Sequence, residues 1–123
     1  MRVLMSIKPE FVERIESGAK KYEFRRVLFR REDIDSIVVY ASSPISKVVG
    51  ELSIKQVLTD SPERIWEETH TYSGITKDYF DSYFSDRKVA NAISIESYKS
   101  YSERLNLSAL NVKRAPQSFC YIQ

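Results

Sequence analysis

Only three glycines, four prolines, one cysteine and one histidine occur in this 123-residue chain. So few glycines leave no Gly-rich loop of the kind that wraps a phosphate. One cysteine, Cys120, cannot form an internal disulfide, and a reducing cytoplasm is the expected compartment. One histidine, His70, stands among Glu67, Glu68, Thr69 and Thr71 with no second histidine or cysteine pair beside it. It therefore reads as a surface loop residue, and no metal and no cofactor is expected. No apolar run approaches the ~18 residues of a membrane span. The opening Met1-Arg2-Val3-Leu4-Met5-Ser6-Ile7-Lys8 is too short and too early charged for a secretory leader. A membrane association is not expected.

What is present suits an ordinary soluble globular chain: 42% hydrophobic and 29% charged residues with a net charge of +2. That length gives one core, so residues 1–123 read as a single domain. The charge is unevenly spread. Lys20, Lys21, Arg25, Arg26, Arg30 and Arg31 crowd a short stretch that holds one acid, Glu23, until Glu32 ends it. Between Asp60 and Asp86 acids dominate. Local density, more than the total, decides which face attracts a polyanion.

Along the chain, Val3–Ile7 reads as a strand. Pro9 suits the first position of a helix, Glu10 and Glu13 suit its positive end, and Gly18 is the expected left-handed stop. A charged strand over 21–25 follows. Ile37–Ala41 and Lys47–Leu58 read as strands, with Gly50 as a bulge or close-approach point. Ser61-Pro62 opens a second helix to about Glu68, and Thr76 caps a third in which Tyr79/Tyr83 and Phe80/Phe84 meet at i,i+4. Trp66 and these rings read as packing for the inserted helices, with a protein-partner surface as the alternative; which protein partner that would be is not readable from the residues. Val89–Glu96 and Gln117–Ile122 read as strands, with one helical turn at Leu107–Leu110 between them. Connections too short for repeated crossovers argue against a parallel βαβ sheet. The expected fold is mixed α/β but mostly β: a small, mainly antiparallel barrel of five or six strands with short helices inserted.

The charged strand carries the functional expectation. In extended backbone, Glu23 and Arg25 share one face while Tyr22 and Phe24 take the other. Lys20 enters just before them at the turn that Gly18 permits. An ammonium, a carboxylate and a guanidinium are thereby delivered to one place, where a small polar ligand or nucleotide can be held. The plain alternative is a solvated edge with a same-face ion pair.

Gly18-x-Lys20-x-x-Glu23-x-Arg25 resembles the G-x-K-x-x-E-x-R signature of the ASCH domain, a branch of the PUA-like superfamily. The context agrees: Ser6-Ile7-Lys8-Pro9 before the helix, Tyr40-Ala41-Ser42-Ser43-Pro44 ending a strand, Val49-Gly50-Glu51 in the next, and Pro116-Gln117-Ser118-Phe119 opening the last. The resemblance spans essentially the whole chain. It implies a pseudo-barrel with a cleft lined by the signature residues, and RNA or a nucleotide-like ligand as partner. One branch of the family hydrolyses the amide of N4-acetylcytidine with a lysine, a threonine and a glutamate, and another member is a ribonuclease. Carried over, that lysine falls on Lys20 and the threonine on Glu23; Glu51 is the candidate for the third. Glutamate cannot replace a threonine nucleophile, so catalysis by Lys20 and Glu23 as an amidohydrolase on an acylated nucleoside is the alternative to RNA or nucleotide binding.

For binding, Lys8, Lys20 and Arg25 can meet phosphate or base acceptors, and Glu23 can accept from a base amino edge. Ser42 and Ser43 offer hydroxyls and backbone N–H groups, and Tyr40 a stacking surface; an ordinary turn and a core tyrosine are the plain alternatives. By family likeness Gln117 and Ser118 would be polar wall residues. Lys21, Arg26, Arg30 and Arg31 are expected to form a flanking electrostatic surface. Cys120 reads as a buried, inert thiol.

Overall fold

The computed structural model describes residues 1–123. In chain order it runs β1 (Arg2–Ile7), α1 (Pro9–Ser17), β2 (Tyr22–Arg25), β3 (Ser36–Ala41), β4 (Lys47–Asp60), α2 (Pro62–Thr69), α3 (Lys77–Tyr83), β5 (Ala90–Leu105) and β6 (Phe119–Ile122). Two short 3-10 turns lie at His70–Tyr72 and Leu107–Leu110. All six strands join one sheet in the order β2-β5-β4-β3-β1-β6. Each neighbouring pair is antiparallel except β1 and β3, which run parallel because α1 and β2 return the chain between them. The sheet curls into an open half-barrel, mostly β with short helices, as the sequence leads one to expect.

Local chemistry explains the element ends. Pro9 opens α1, whose chain leaves through Gly18 at φ 84, with the Gly18 N–H returning to the Ile15 carbonyl. The Ser61 side chain accepts from the Arg64 N–H and caps α2; Thr76 accepts from the Tyr79 N–H and caps α3. Gly50 sits at a register shift where a Cβ would come within 2.6 Å of the Lys99 carbonyl oxygen, so only glycine fits.

β5 does not stop at Glu96 but continues to Leu105. Its second half is polar and largely exposed; pairing with β4 holds it extended, while Tyr98, Tyr101 and Leu105 pack partly buried against the core. β6 begins at Phe119 rather than Gln117, although the Ser118 carbonyl already accepts from the Ser6 N–H.

Strand alternation divides the interior into three. Val3, Met5, Ile7, Ile37, Val39, Leu52 and Ile93 fill the curl, closed at one end by Val12 and Ile15 of α1. On the outer face, Phe24, Ala90 and Ala92 pack under Ile65, Phe80 and Phe84 of the inserted helices. Elsewhere on that face Leu4, Val38, Tyr40, Val48 and Ile122 lie under the Leu107–Val112 segment. Each large apolar side chain buried this way contributes roughly 1.5–3 kcal/mol.

The sheet ends at β2 on one side and β6 on the other, so the half-barrel keeps a gap between them. That gap positions the site. No helix is long and apolar enough to cross a membrane.

Candidate functional site: a charged floor in the barrel gap

β2 is only four residues long, yet Glu23, Phe24 and Arg25 are all buried, because the strand has a covering on both faces. Phe24 points to the inserted helices, at 5.3 Å from the Phe80 ring centroid. Glu23 and Arg25 point the other way, into the gap, opposite Ile93 and Asn91 of β5. Asn91 fixes the end of the strand: its Nδ2 donates to the Arg25 carbonyl, while its Oδ1 accepts from Thr59.

The Arg25 guanidinium crosses the gap. Its Nε donates to Glu23 Oε2 at 3.0 Å, with the same oxygen 2.9 Å from one terminal nitrogen. It also donates to the Ser6 carbonyl at 2.7 Å and to Ser118 Oγ at 3.2 Å. Side-chain bonds thus join β2 to β1 and to the approach of β6, where no backbone ladder exists. Rigid planar geometry with five donors makes arginine suited to this bridge.

Lys20 lies beside the pair, 2% exposed, its Nζ donating to the Ser73 carbonyl at 2.8 Å. The ammonium sits 5.0 Å from the Phe11 ring centroid and 4.8 Å from that of Phe24. Loss of water pulls its pKa down from 10.5 to about 8; the Glu23 carboxylate opposes that shift, and Arg14 and Arg25 add to it. The Glu23 Oε1 atom is buried and has no hydrogen-bond partner.

Above this floor opens a cavity of about 560 Å³, within the range of small-ligand sites. Phe11, Tyr79 and Tyr83 form a continuous aromatic wall: Tyr79 stacks on Tyr83 at 6.3 Å and meets the edge of Phe11 at 5.4 Å. Exposed cations stand at its mouth. Lys8 Nζ lies 5.2 Å from the Tyr79 ring centroid, Arg26 lies 4.6 Å from that of Tyr83, and Arg87 completes the set.

Residues 5–109 match the model of the ASCH domain. The chain belongs to the ASCH domain family. It is 25% identical to an ASCH domain-containing ribonuclease of Zymomonas mobilis over 98% of this chain and 83% of that protein. The crystal structure of ASCH from Zymomonas mobilis superposes with a TM-score of 0.89 at 23% identity, covering 99% of this chain and 87% of that one. A longer relative, the ATP synthase subunit alpha of Ureaplasma parvum, is 27% identical over 98% of this chain, which spans only 15% of its length.

In this ASCH domain the residues expected to meet do so unevenly. Lys8, Lys20, Glu23, Arg25, Ser42, Gln117 and Ser118 all line the cavity. Tyr40 does not. Alternation in β3 sends it to the outer face, 8% exposed among Leu4, Val38, Val48 and Ile122, so it offers no stacking surface. Ser43 is exposed in the turn after β3 and lies off the cavity wall, because only Ser42 remains against it. Arg26, expected on the flank, lines the cavity, because the chain turns there directly after β2. Lys21, Arg30 and Arg31 lie outside it: Lys21 sits over Tyr72 and Arg31 pairs with Asp33. The Tyr121 hydroxyl accepts from the Arg30 and Arg31 N–H groups and pins that loop. Cys120 is half-buried, and desolvation raises its pKa. His70 packs on Trp66 with centroids 6.0 Å apart, and no metal-binding group of side chains forms.

Sequence reasoning missed Phe11, Tyr79, Tyr83 and Arg87. The i,i+4 spacing of the tyrosines was the available signal, since it puts both on one face of α3, the face that proves to border the gap.

Proposed function

We propose that this ASCH domain binds single-stranded RNA and seats one unstacked nucleotide in the cavity beside Lys20, Glu23 and Arg25. The observation that carries the reading is the division of the cavity walls. An aromatic wall of Phe11, Tyr79 and Tyr83 suits a base, and exposed Lys8, Arg26 and Arg87 suit the phosphates on either side of it. Readers of single strands combine these two elements, because every base has a π-face and every linkage a charge. The name of the Zymomonas mobilis relative, a ribonuclease, supports RNA as the ligand class.

Fluorescence anisotropy with a short labelled single-stranded RNA tests the reading. Binding is expected at low salt and weakens as salt rises, since cations that meet phosphates release counterions. Absence of binding at low salt, or affinity unchanged by Lys20→Ala together with Tyr79→Ala, contradicts it.

Hydrolysis in the same cavity is a second reading, favoured by the Lys20 amine, whose pKa of about 8 leaves a fraction unprotonated and basic near neutrality. Against an amidohydrolase, Glu23 stands where a threonine nucleophile is needed, and Arg25 holds its Oε2. Cleavage of RNA or deacetylation of N4-acetylcytidine that stops in Lys20→Met supports this second reading; binding without turnover removes it.

A further inference from the structure

Among the three charged groups of the floor, Glu23 is incompletely used. Arg25 takes Oε2 through two of its nitrogens and directs its remaining contacts to Ser6 and Ser118. Lys20 donates to the Ser73 carbonyl and makes no ion pair with Glu23. Oε1 is left as a buried, charged acceptor without a donor, in a residue 5% exposed. Leaving such an atom unpaired is unfavourable, so a donor supplied by a ligand gains more there than it would at the surface.

We infer that Glu23 Oε1 accepts a hydrogen bond from an N–H on the Watson–Crick edge of the bound nucleobase, making Glu23 the residue that fixes both the orientation and the class of base. This rests on the RNA reading above. A phosphate cannot occupy the same place, because two anions would meet in a poorly solvated cavity. The base therefore goes to the floor and the phosphates stay at the mouth, where Lys8, Arg26 and Arg87 stand. A base already paired in a duplex has spent that edge, so the site selects unpaired RNA.

Wild-type protein is titrated with short single-stranded oligomers of uridine, cytidine or adenosine. Each is compared with a counterpart whose edge N–H is replaced by methyl: N3-methyluridine, N4,N4-dimethylcytidine or N6,N6-dimethyladenosine. Oligomers of 5-methyluridine and 5-methylcytidine control for added bulk on the opposite edge. A hydrogen bond to a charged group sets the expected effect: whichever plain oligomer binds does so about tenfold or more tightly than its N-methylated form. The 5-methyl controls bind within about twofold of their parents on the same scale. Glu23→Gln keeps the side-chain shape and can turn its amide oxygen to Arg25, which puts an NH2 donor where Oε1 was. In that variant the discrimination disappears. Equal affinity for plain and N-methylated RNA overturns the inference while leaving the RNA reading intact. No binding to any of these oligomers, nor to a guanosine oligomer, overturns both. The wild-type series decides even where the variant fails to fold.

Discussion

Arg25 and Glu23 form a buried ion pair on a strand at the edge of the sheet, with Nε 3.0 Å from Oε2. The same guanidinium reaches the Ser6 carbonyl and Ser118 Oγ across the barrel gap. One side chain thus serves the fold and the site together: it tethers β2 to the far side of the sheet and holds Glu23 by Oε2, leaving Oε1 buried without a partner.

Breaking that pair from one side is expected to be costly. Arg25→Met leaves a buried carboxylate uncompensated and lowers stability by about 3–5 kcal/mol. Arg25→Met with Glu23→Gln removes the stranded charge and recovers part of the loss, a non-additivity expected of contacting residues. Urea denaturation of the wild type, both single variants and the double variant measures this. A double variant less stable than Arg25→Met alone contradicts the account.

Lys20 makes stability depend on pH. Its pKa is about 8 when folded, chiefly because burial strips its water, against 10.5 when exposed. Between those values the unfolded chain holds the proton and the folded chain does not, so stability rises with pH across that window. The effect is fully developed above 10.5, is absent below about 8, and amounts to roughly 3 kcal/mol. The informative quantity is the difference from Lys20→Met, in which the contributions of all other groups cancel. That difference should grow between pH 8 and pH 10.5. Parallel stability curves for the two proteins contradict the burial of a titrating amine.

Under the proposed RNA reading, the cations separate into two groups. Arg26 and Arg87 border the cavity, whereas Arg31 is paired with Asp33 at 2.6 Å outside it. Arg26→Ala and Arg87→Ala should each reduce the slope of log affinity against log salt by about 0.7, the value for one phosphate contact on a single strand. Arg31→Ala should leave the slope unchanged. An Arg31→Ala effect equal to that of Arg26→Ala would move the binding face to the outer loop.

The tyrosines divide in the same way. Tyr79→Ala removes part of the aromatic wall and should weaken RNA binding by roughly 5- to 150-fold, the equivalent of 1–3 kcal/mol of stacking. Tyr40→Phe, buried on the other side of the sheet, should leave affinity unchanged. Anisotropy titrations on the two variants, each checked for folding by circular dichroism, decide between them.

Much of this was legible in the sequence wherever the chemistry is local. Pro9, Gly18, Ser61 and Thr76 each mark a helix end by backbone or side-chain geometry confined to one turn. The shared face of Glu23 and Arg25 follows from strand alternation alone, and so does their separation from Phe24. What stayed hidden depends on which surface a face meets. Alternation assigns Tyr40 to one side of β3, but only the docking of the Leu107–Val112 segment makes that side an interior. Tyr79 and Tyr83 share a face of α3, but only the docking of α3 beside the gap makes that face a wall. The second half of β5 has too little apolar periodicity to announce itself, because β4 supplies the partner that holds it extended.

Under the proposed reading, RNA enters the gap between β2 and β6. Amide and aromatic NMR chemical-shift mapping with a short single-stranded RNA at low salt tests it most directly. A compact set of perturbed residues is expected around Lys8, Phe11, Lys20, Tyr79, Tyr83 and Ser118, with Tyr40 and Leu110 unmoved. No perturbation, or one centred on the Leu110 face, would contradict it.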